Sequence, residues 1–477
     1  MDSRQKKVAV KKVATKKSIL SEPALKENSA LDKEISLSYL FKFSLPTILS
    51  MIIMGSFGIV DGVFVSRLID PVAFSATSIA FPFLTFALAV GFMLGVGGNA
   101  LAAKTLGEGN VKRARGIFSF ICIAALLVSI VMTSIGLIFP NFVLNILGAG
   151  HLHAQVLEYL IPILWFMPII MLSVVFQQFL MTEGKAYIST ISFFVGGGIS
   201  AGLNWLLIGQ LGMGLQGASL ATAIGYSISA IIGGVFFILN KKGKLYFDKP
   251  IFELKVLIKS STNGLSEFVS MISIAIVSTI VNNLLIDMPA GELNVAAVGI
   301  SYGLMGILAS IFIGYSSGIL PIIGFNYGQN NTARLKKIFS TSIKLVMALS
   351  IASLVLAWVL TGVLIRIYFT PETHGVLFDM SVQAFRVITA GFMFTGFNSF
   401  ASMFFTGLQN GKVSALISAS NSLIFPTILL FTLPTIMPSF NLAPYMGVYT
   451  AMPIAEGITI IVSITVFMLM KKRYQYA

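Results

Sequence analysis

Long apolar runs alternate with short polar and basic interruptions along almost the whole chain. Runs near residues 43–66, 73–100, 114–138, 155–181, 187–209, 214–239, 258–286, 293–320, 335–368, 378–406, 413–436 and 444–470 each reach the roughly 20 residues that a helix needs to cross a bilayer. The runs lack strict apolar/polar alternation and far exceed the roughly 10 residues of a barrel strand, which excludes a closed β-barrel. The pattern therefore predicts an all-α membrane protein with twelve transmembrane helices. Pro46, Pro82, Pro162, Pro168, Pro321, Pro426 and Pro453 fall inside these runs, so several helices should be bent.

The twelve runs are two sets of six. Residues 95–118 (GVGGNALAAKTLGEGNVKRARGIF) lie without a gap over residues 316–339 (SSGILPIIGFNYGQNNTARLKKIF), 221 positions later. Gly97 meets Gly318, Gly107 meets Gly328, Asn110 meets Asn331 and Arg113 meets Arg334. The same offset runs back to about residue 42 and sets Asp61 opposite Asn282 and Pro46 opposite Glu267. Two copies in the same direction predict two six-helix bundles related by a pseudo-twofold axis along the membrane normal. The expected divisions are a disordered basic tail at 1–40, an N-lobe at 41–240, a linker at 241–260 and a C-lobe at 261–477.

Composition adds orientation. Hydrophobic residues make up 56% and charged residues 10%, against roughly 25% charge in an ordinary soluble domain. Of the 32 Lys and Arg, 29 fall in segments on one side if the N-terminus is cytoplasmic; only Arg67, Arg366 and Arg386 lie elsewhere. Both termini are therefore expected in the cytoplasm, with the chain in the cell membrane. The net charge of +14 then follows from topology and calls for no nucleic-acid partner. The basic tail reads as a solvated orientation signal, with anionic-lipid binding as the sharper alternative. The opening 40 residues carry no apolar core of a cleavable signal. A single cysteine, Cys122, excludes a disulfide framework and reads as packing. His151 and His153 lack further metal ligands nearby and read as a solvated loop. No phosphate-binding GxxxxGK[ST] loop occurs, so the chain must use an ion gradient or run downhill.

Candidate chemistry then falls to the few ionisable groups at membrane depth. Asp61 lies in MIIMGSFGIVDGVFVS with no basic neighbour one turn away, and could exchange a proton or, with oxygen partners, hold Na⁺. An acid that snorkels to the interface is the bland alternative. Glu267, Ser270, Met271, Ile274, Ser278 and Asn282 form a stripe at helical spacing that suits a water-filled cavity wall or polar contacts between helices. Glu456 lies mid-span, just after Pro453, and is read as a cavity carboxylate. Arg386 is its candidate counter-ion or an anion contact. Clustered catalytic groups are absent, which argues against an enzyme.

These stretches carry a resemblance. SLPTILSMIIMGSFGIVDGVFVSRL, GILPIIGFNYGQNN, GLQGASLATAIGY and GVYTAMPIAE are similar to segments of the multidrug and toxic compound extrusion (MATE) family, over about residues 40–470. The resemblance implies a secondary antiporter that exports organic, often cationic, compounds in exchange for H⁺ or Na⁺, with no further cofactor. It implies an ion-coupling set of Asp61, Ser200, Asn204 and Thr222. Where many members carry Asn and Asp, this chain has Ser200 and Asn204, so the set keeps one carboxylate. One negative charge suits a proton better than a desolvated Na⁺, although Na⁺ at Asp61 remains an alternative. Glu267, Asn282, Glu456 and Arg386 are the substrate-binding candidates, and a monomer in the bilayer is the expectation. The rival reading is a lipid-linked saccharide flippase of the same superfamily, which should line its cavity with several basic residues; only Arg386 qualifies.

Overall fold

The computed structural model describes residues 30–69, 71–369 and 371–476; the first 29 residues of the expected tail lie outside the described residues. The long helices are α1 (Leu37–Leu68), α2 (Pro71–Gly107), α3 (Val111–Ile138), α4 (His153–Thr182), α5 (Ala186–Asn204) and α6 (Gly214–Leu239) in the first lobe. The second holds α7 (Leu254–Ile286), α8 (Gly291–Gly328), α9 (Thr332–Arg366), α10 (Pro371–Thr389), α11 (Phe392–Gly407), α12 (Gly411–Ala419), α13 (Phe425–Ile436) and α14 (Pro444–Tyr474). Among the described residues eleven helices are long and apolar enough to span, and α10 with α11, bent by 43° at residues 390–391, supplies a twelfth. Each fifth span contains a π-helical stretch: Trp205–Gln210 after α5, and Ser420–Ile424 between α12 and α13.

The duplication is visible in the helix ends. Asn110 caps α3 by accepting the Arg113 amide at 3.0 Å, and Asn331 caps α9 by accepting the Arg334 amide at 3.1 Å. The corner before each cap is left-handed, supplied by Gly109 (φ 83°) in one copy and Asn330 (φ 54°) in the other.

The lobes meet at the end of the bundle that carries most of the basic residues, called the basic end below. There α2 and α8 approach so closely that a Cβ on Gly107 would lie 2.0 Å from the Phe325 carbonyl oxygen, and one on Gly328 2.1 Å from the Lys104 carbonyl oxygen. Those two contacts are images of each other under the repeat. One apolar core runs through both lobes here, from Phe118 and Phe179 to Phe404 and Phe467. Toward the opposite end it divides into a largely first-lobe core around Met167 and Phe193 and second-lobe cores around Tyr449 and Phe312. The bundle is shut at its basic end.

Ion pairs reinforce that closure. Arg113 on α3 holds Glu253 at the start of α7 through two bonds, of 3.1 and 2.8 Å. Arg334 on α9 holds Asp32 ahead of α1. Asp32 and Glu253 are also 221 positions apart, so the two bridges form one repeat-related pair, each crossing between lobes. Residues 30–36, expected as disordered tail, are instead built against the second lobe: Leu31 and Ile35 are buried, and Lys337 meets Glu34 at 3.0 Å.

The linker is tied down rather than loose, and it is shorter than expected because α7 already begins at Leu254. Glu183 accepts the backbone amides of Lys244 and Leu245 at 3.0 and 2.8 Å and the Asn240 side chain at 3.2 Å. Burial pushes the Glu183 carboxyl above the ordinary glutamate range, against the pull of these bonds. Arg115 donates to the Lys244 carbonyl and stacks on Tyr246, with 4.0 Å from its guanidinium carbon to the ring centre.

Candidate functional site

Asp61 sits in α1, seven residues before its end, and is buried. Asn204, the last residue of α5 before the π-helical turn, donates its side-chain amide to Asp61 Oδ1 at 2.7 Å. Thr222 on α6 donates its hydroxyl to Oδ2. One helical turn away from Asn204 toward the basic end, Ser200 packs beneath Gly225 instead; among the described residues, only Asn204 and Thr222 hydrogen-bond Asp61. The set expected from sequence is thus assembled at three of its four positions. Tyr159 and Tyr226 lie within range of the carboxylate's charge, and Phe57 stands edge-on to Tyr226 at 5.2 Å.

Two features bear on the chemistry of this site. The four ion pairs found among the described residues are all at the basic end, so Asp61 has no cationic neighbour to balance it. Among the described residues, Asn204 Oδ1 is buried with no hydrogen-bond partner. A buried carbonyl oxygen left without a donor beside a carboxylate is a standing demand for a proton or a cation.

Glu456 is enclosed within the second lobe. Asn398 on α11 donates to Oε2 at 2.8 Å, Asn421 in the π-helical stretch donates to Oε1 at 3.2 Å, and Ser463 donates to Asn398 Oδ1 at 3.1 Å. Sequence reasoning missed Asn398 and Asn421: each is an ordinary polar residue in a long span, and only the packing of three helices joins them to Glu456. Arg386 does not pair with Glu456. It is exposed, in a groove with Trp358 and Thr450. The counter-ion reading of Arg386 is therefore corrected: amides, not a guanidinium, satisfy Glu456.

Glu267 is half-buried on α7, where α7 crosses α2 through Phe268 and Phe86 at 5.8 Å. Farther along, the stripe becomes exposed, at Ile274 (64%) and at Asn282. Glu267 and Asn282 thus share a helix face but not a cluster with Glu456 or Arg386.

The MatE family model matches residues 46–206 and 268–432, one block in each lobe. The chain belongs to the MATE family. Among its curated relatives, the multidrug export protein MepA of Staphylococcus haemolyticus is 27% identical over 367 residues, covering 74% of this chain and 79% of that protein. MepA of Staphylococcus aureus strain MRSA252 is 23% identical over 362 residues, with the same coverage. Among solved structures, a MATE transporter in complex with MaL6 superposes with a TM-score of 0.86 at 20% identity, covering 94% of this chain and 99% of the other. An outward-facing multidrug resistance MATE transporter gives 0.84 at 20% identity, covering 92% and 96%. As a MATE protein this chain is a multi-pass membrane transporter and not an enzyme, and its two-bundle architecture is that of the family.

Proposed function

We propose that this transporter exports organic cationic amphiphiles in exchange for protons by alternating access, with Asp61 as the coupling group. The reading rests on one observation above the others: a buried carboxylate without a cationic partner, next to an amide oxygen without a donor. Charged Asp61 accepts from the Asn204 amide. Protonated Asp61 is itself a donor, and a half-turn of the Asn204 side chain would bring its unpaired Oδ1 round to accept that proton. The same residue can thus satisfy either protonation state. A proton suits the site better than Na⁺, because the Asn204 NH₂ occupies a position where a cation would need oxygen, and Ser200 adds no hydrogen bond to Asp61 among the described residues.

Alternating access in this reading toggles between the present form, shut at the basic end, and one shut at the other. We place the basic end and both termini in the cytoplasm on the distribution of Lys and Arg, so that the present form faces outward from the cell membrane. Glu267, half-buried on α7, and Asn282, exposed farther along it, would favour cationic cargo along the cleft. The MepA relatives, named for multidrug export, support a broad substrate range. No observation favours the saccharide flippase, since Arg386 lies in a side groove. A monomer suffices for this scheme.

The test uses purified protein in liposomes with a fluorescent organic cation. A pH gradient imposed in Na⁺-free buffer should drive its movement, and a Na⁺ gradient at equal pH should not. Movement driven by Na⁺ alone would overturn proton coupling.

A further inference from the structure

The break between α10 and α11 and the proline in α14 open the side of the second lobe. A cavity of 680 Å³ lies there, between α9, α10 and α14, lined by Trp358, Val359, Arg386, Val387, Ala390, Thr450, Pro453 and Ile454. A second cavity of 590 Å³ shares Arg386 and Val387 with it and continues along α10 past Gln383 to Asp379. Asp379, Gln383 and Arg386 are exposed and spaced as i, i+4 and i+7, one polar line along the helix. Among the described residues Arg386 has no carboxylate within ion-pair distance, and the indole of Trp358 donates to its backbone carbonyl at 3.1 Å.

The depth of this groove is fixed by α14. Thr450, beside Arg386, is 21 residues from Lys471 at the basic end, or roughly 31 Å of helix, the thickness of a bilayer's hydrocarbon core. The groove therefore lies at the far hydrocarbon boundary, where Trp358 is at home and lipid phosphates begin. The order of charges along α10 then has meaning. The cation, Arg386, is nearer the membrane centre and the anion, Asp379, is about 10 Å farther out along the helix. A phospholipid with an amine headgroup presents the reverse pattern, phosphate inward and ammonium outward.

We propose that this groove is a seat for an aminophospholipid of the phosphatidylethanolamine type. Its phosphate rests on Arg386, its primary ammonium donates to Asp379, and one acyl chain lies along Val359, Val387, Pro453 and Ile454. A choline headgroup has no N–H to give Asp379, and a glycerol headgroup brings no positive charge, so both satisfy only the Arg386 half. The lipid would brace the bend of the tenth span, whose Gly391 backbone separates the groove from Glu456: a Cβ at Gly391 would lie 3.2 Å from the Pro453 Cα and 3.5 Å from the Glu456 Cγ.

The experiment is lipid retention measured by native mass spectrometry, with purified full-length protein offered phosphatidylethanolamine, phosphatidylcholine or phosphatidylglycerol of identical acyl chains. Wild type should retain the ethanolamine lipid over the choline lipid by about tenfold, the size of one charge-assisted bond. Asp379→Asn should level the two, and Arg386→Gln should lower retention of all three. Val359→Trp fills the groove without touching a charge and should also lower all three, which keeps the test valid should a charge variant fail to fold. Equal retention of ethanolamine and choline lipids by wild type, or a preference that survives Asp379→Asn, would overturn the proposal.

Discussion

Asp61 and Glu456 solve the same problem, a carboxylate inside a bilayer protein, by amide and hydroxyl donors rather than by a counter-ion. Removing a donor from such a group leaves a buried acceptor unpaid, at about 1–3 kcal/mol. Asn398→Leu should therefore lower the melting temperature in detergent, and Glu456→Gln, which keeps the shape and one of the two acceptor oxygens, should cost less than Glu456→Leu. Equal losses for the two Glu456 variants would mean that the amides do not recognise the side chain. At Asp61, Asn204→Leu should slow exchange by at least about tenfold, the equivalent of one such bond, in a liposome transport assay. Much of this site was legible in the sequence, because resemblance placed Asp61, Asn204 and Thr222 together. Ser200 was not legible as an outlier, since it stands one regular turn before Asn204 and only the packing of α5 on α6 sets it against Gly225 rather than Asp61. The Glu456 cage was invisible for a related reason: its amides come from separate helices, and one of them from a π-helical stretch that no periodicity announces.

At the scale of helices, the closure of the basic end depends on shape and charge together. The reciprocal approaches at Gly107 and Gly328 leave no room for a methyl group. Gly107→Ala and Gly328→Ala should each prop this end apart and shift the population toward the alternative form, read as increased labelling of a cysteine introduced at Ala103, given that the native Cys122 is buried. Unchanged labelling would show that the contact is not part of the gate. The bridges Arg113–Glu253 and Arg334–Asp32 are partly exposed, so each contributes modestly and is weakened by salt. The Arg113 guanidinium beside Glu253 holds its carboxyl below the ordinary glutamate range. A depressed carboxyl contributes its stability above that range and loses it as pH falls through the lowered value. Acid and high salt should therefore loosen this end in the wild type and have less effect in Arg113→Ala/Arg334→Ala, measured by distances between spin labels on α2 and α8. An equal response in wild type and double variant would remove the bridges from the gate. The repeat offset could have revealed this pair in advance, because Asp32 and Glu253 stand in the same relation as Arg113 and Arg334. What hid it was the assumption that a basic, polar N-terminal segment has no structure up to residue 40.

For the whole molecule, two similar frames share one core at the basic end and keep separate cores toward the other. In the proposed toggle the shared core has to part at the basic end, while the separate cores let each lobe retain its own packing. The twelve spans and the two-lobe division followed from hydrophobic runs and the duplication. The divided core and the depth of the side groove did not, since both depend on how helices lean against one another. The lobes also differ in their chemistry: the first holds Asp61 against an amide whose oxygen has no donor among the described residues, and the second holds Glu456 with an amide donor on each carboxylate oxygen. The central claim is that Asp61 exchanges the proton that drives transport. Its most direct measurement is proton release, recorded with a pH-sensitive dye in weakly buffered detergent solution as an organic cation is added to purified protein. Wild type should release protons on binding cargo, and Asp61→Asn should release none while still binding it. Release from Asp61→Asn equal to that of wild type would contradict the account.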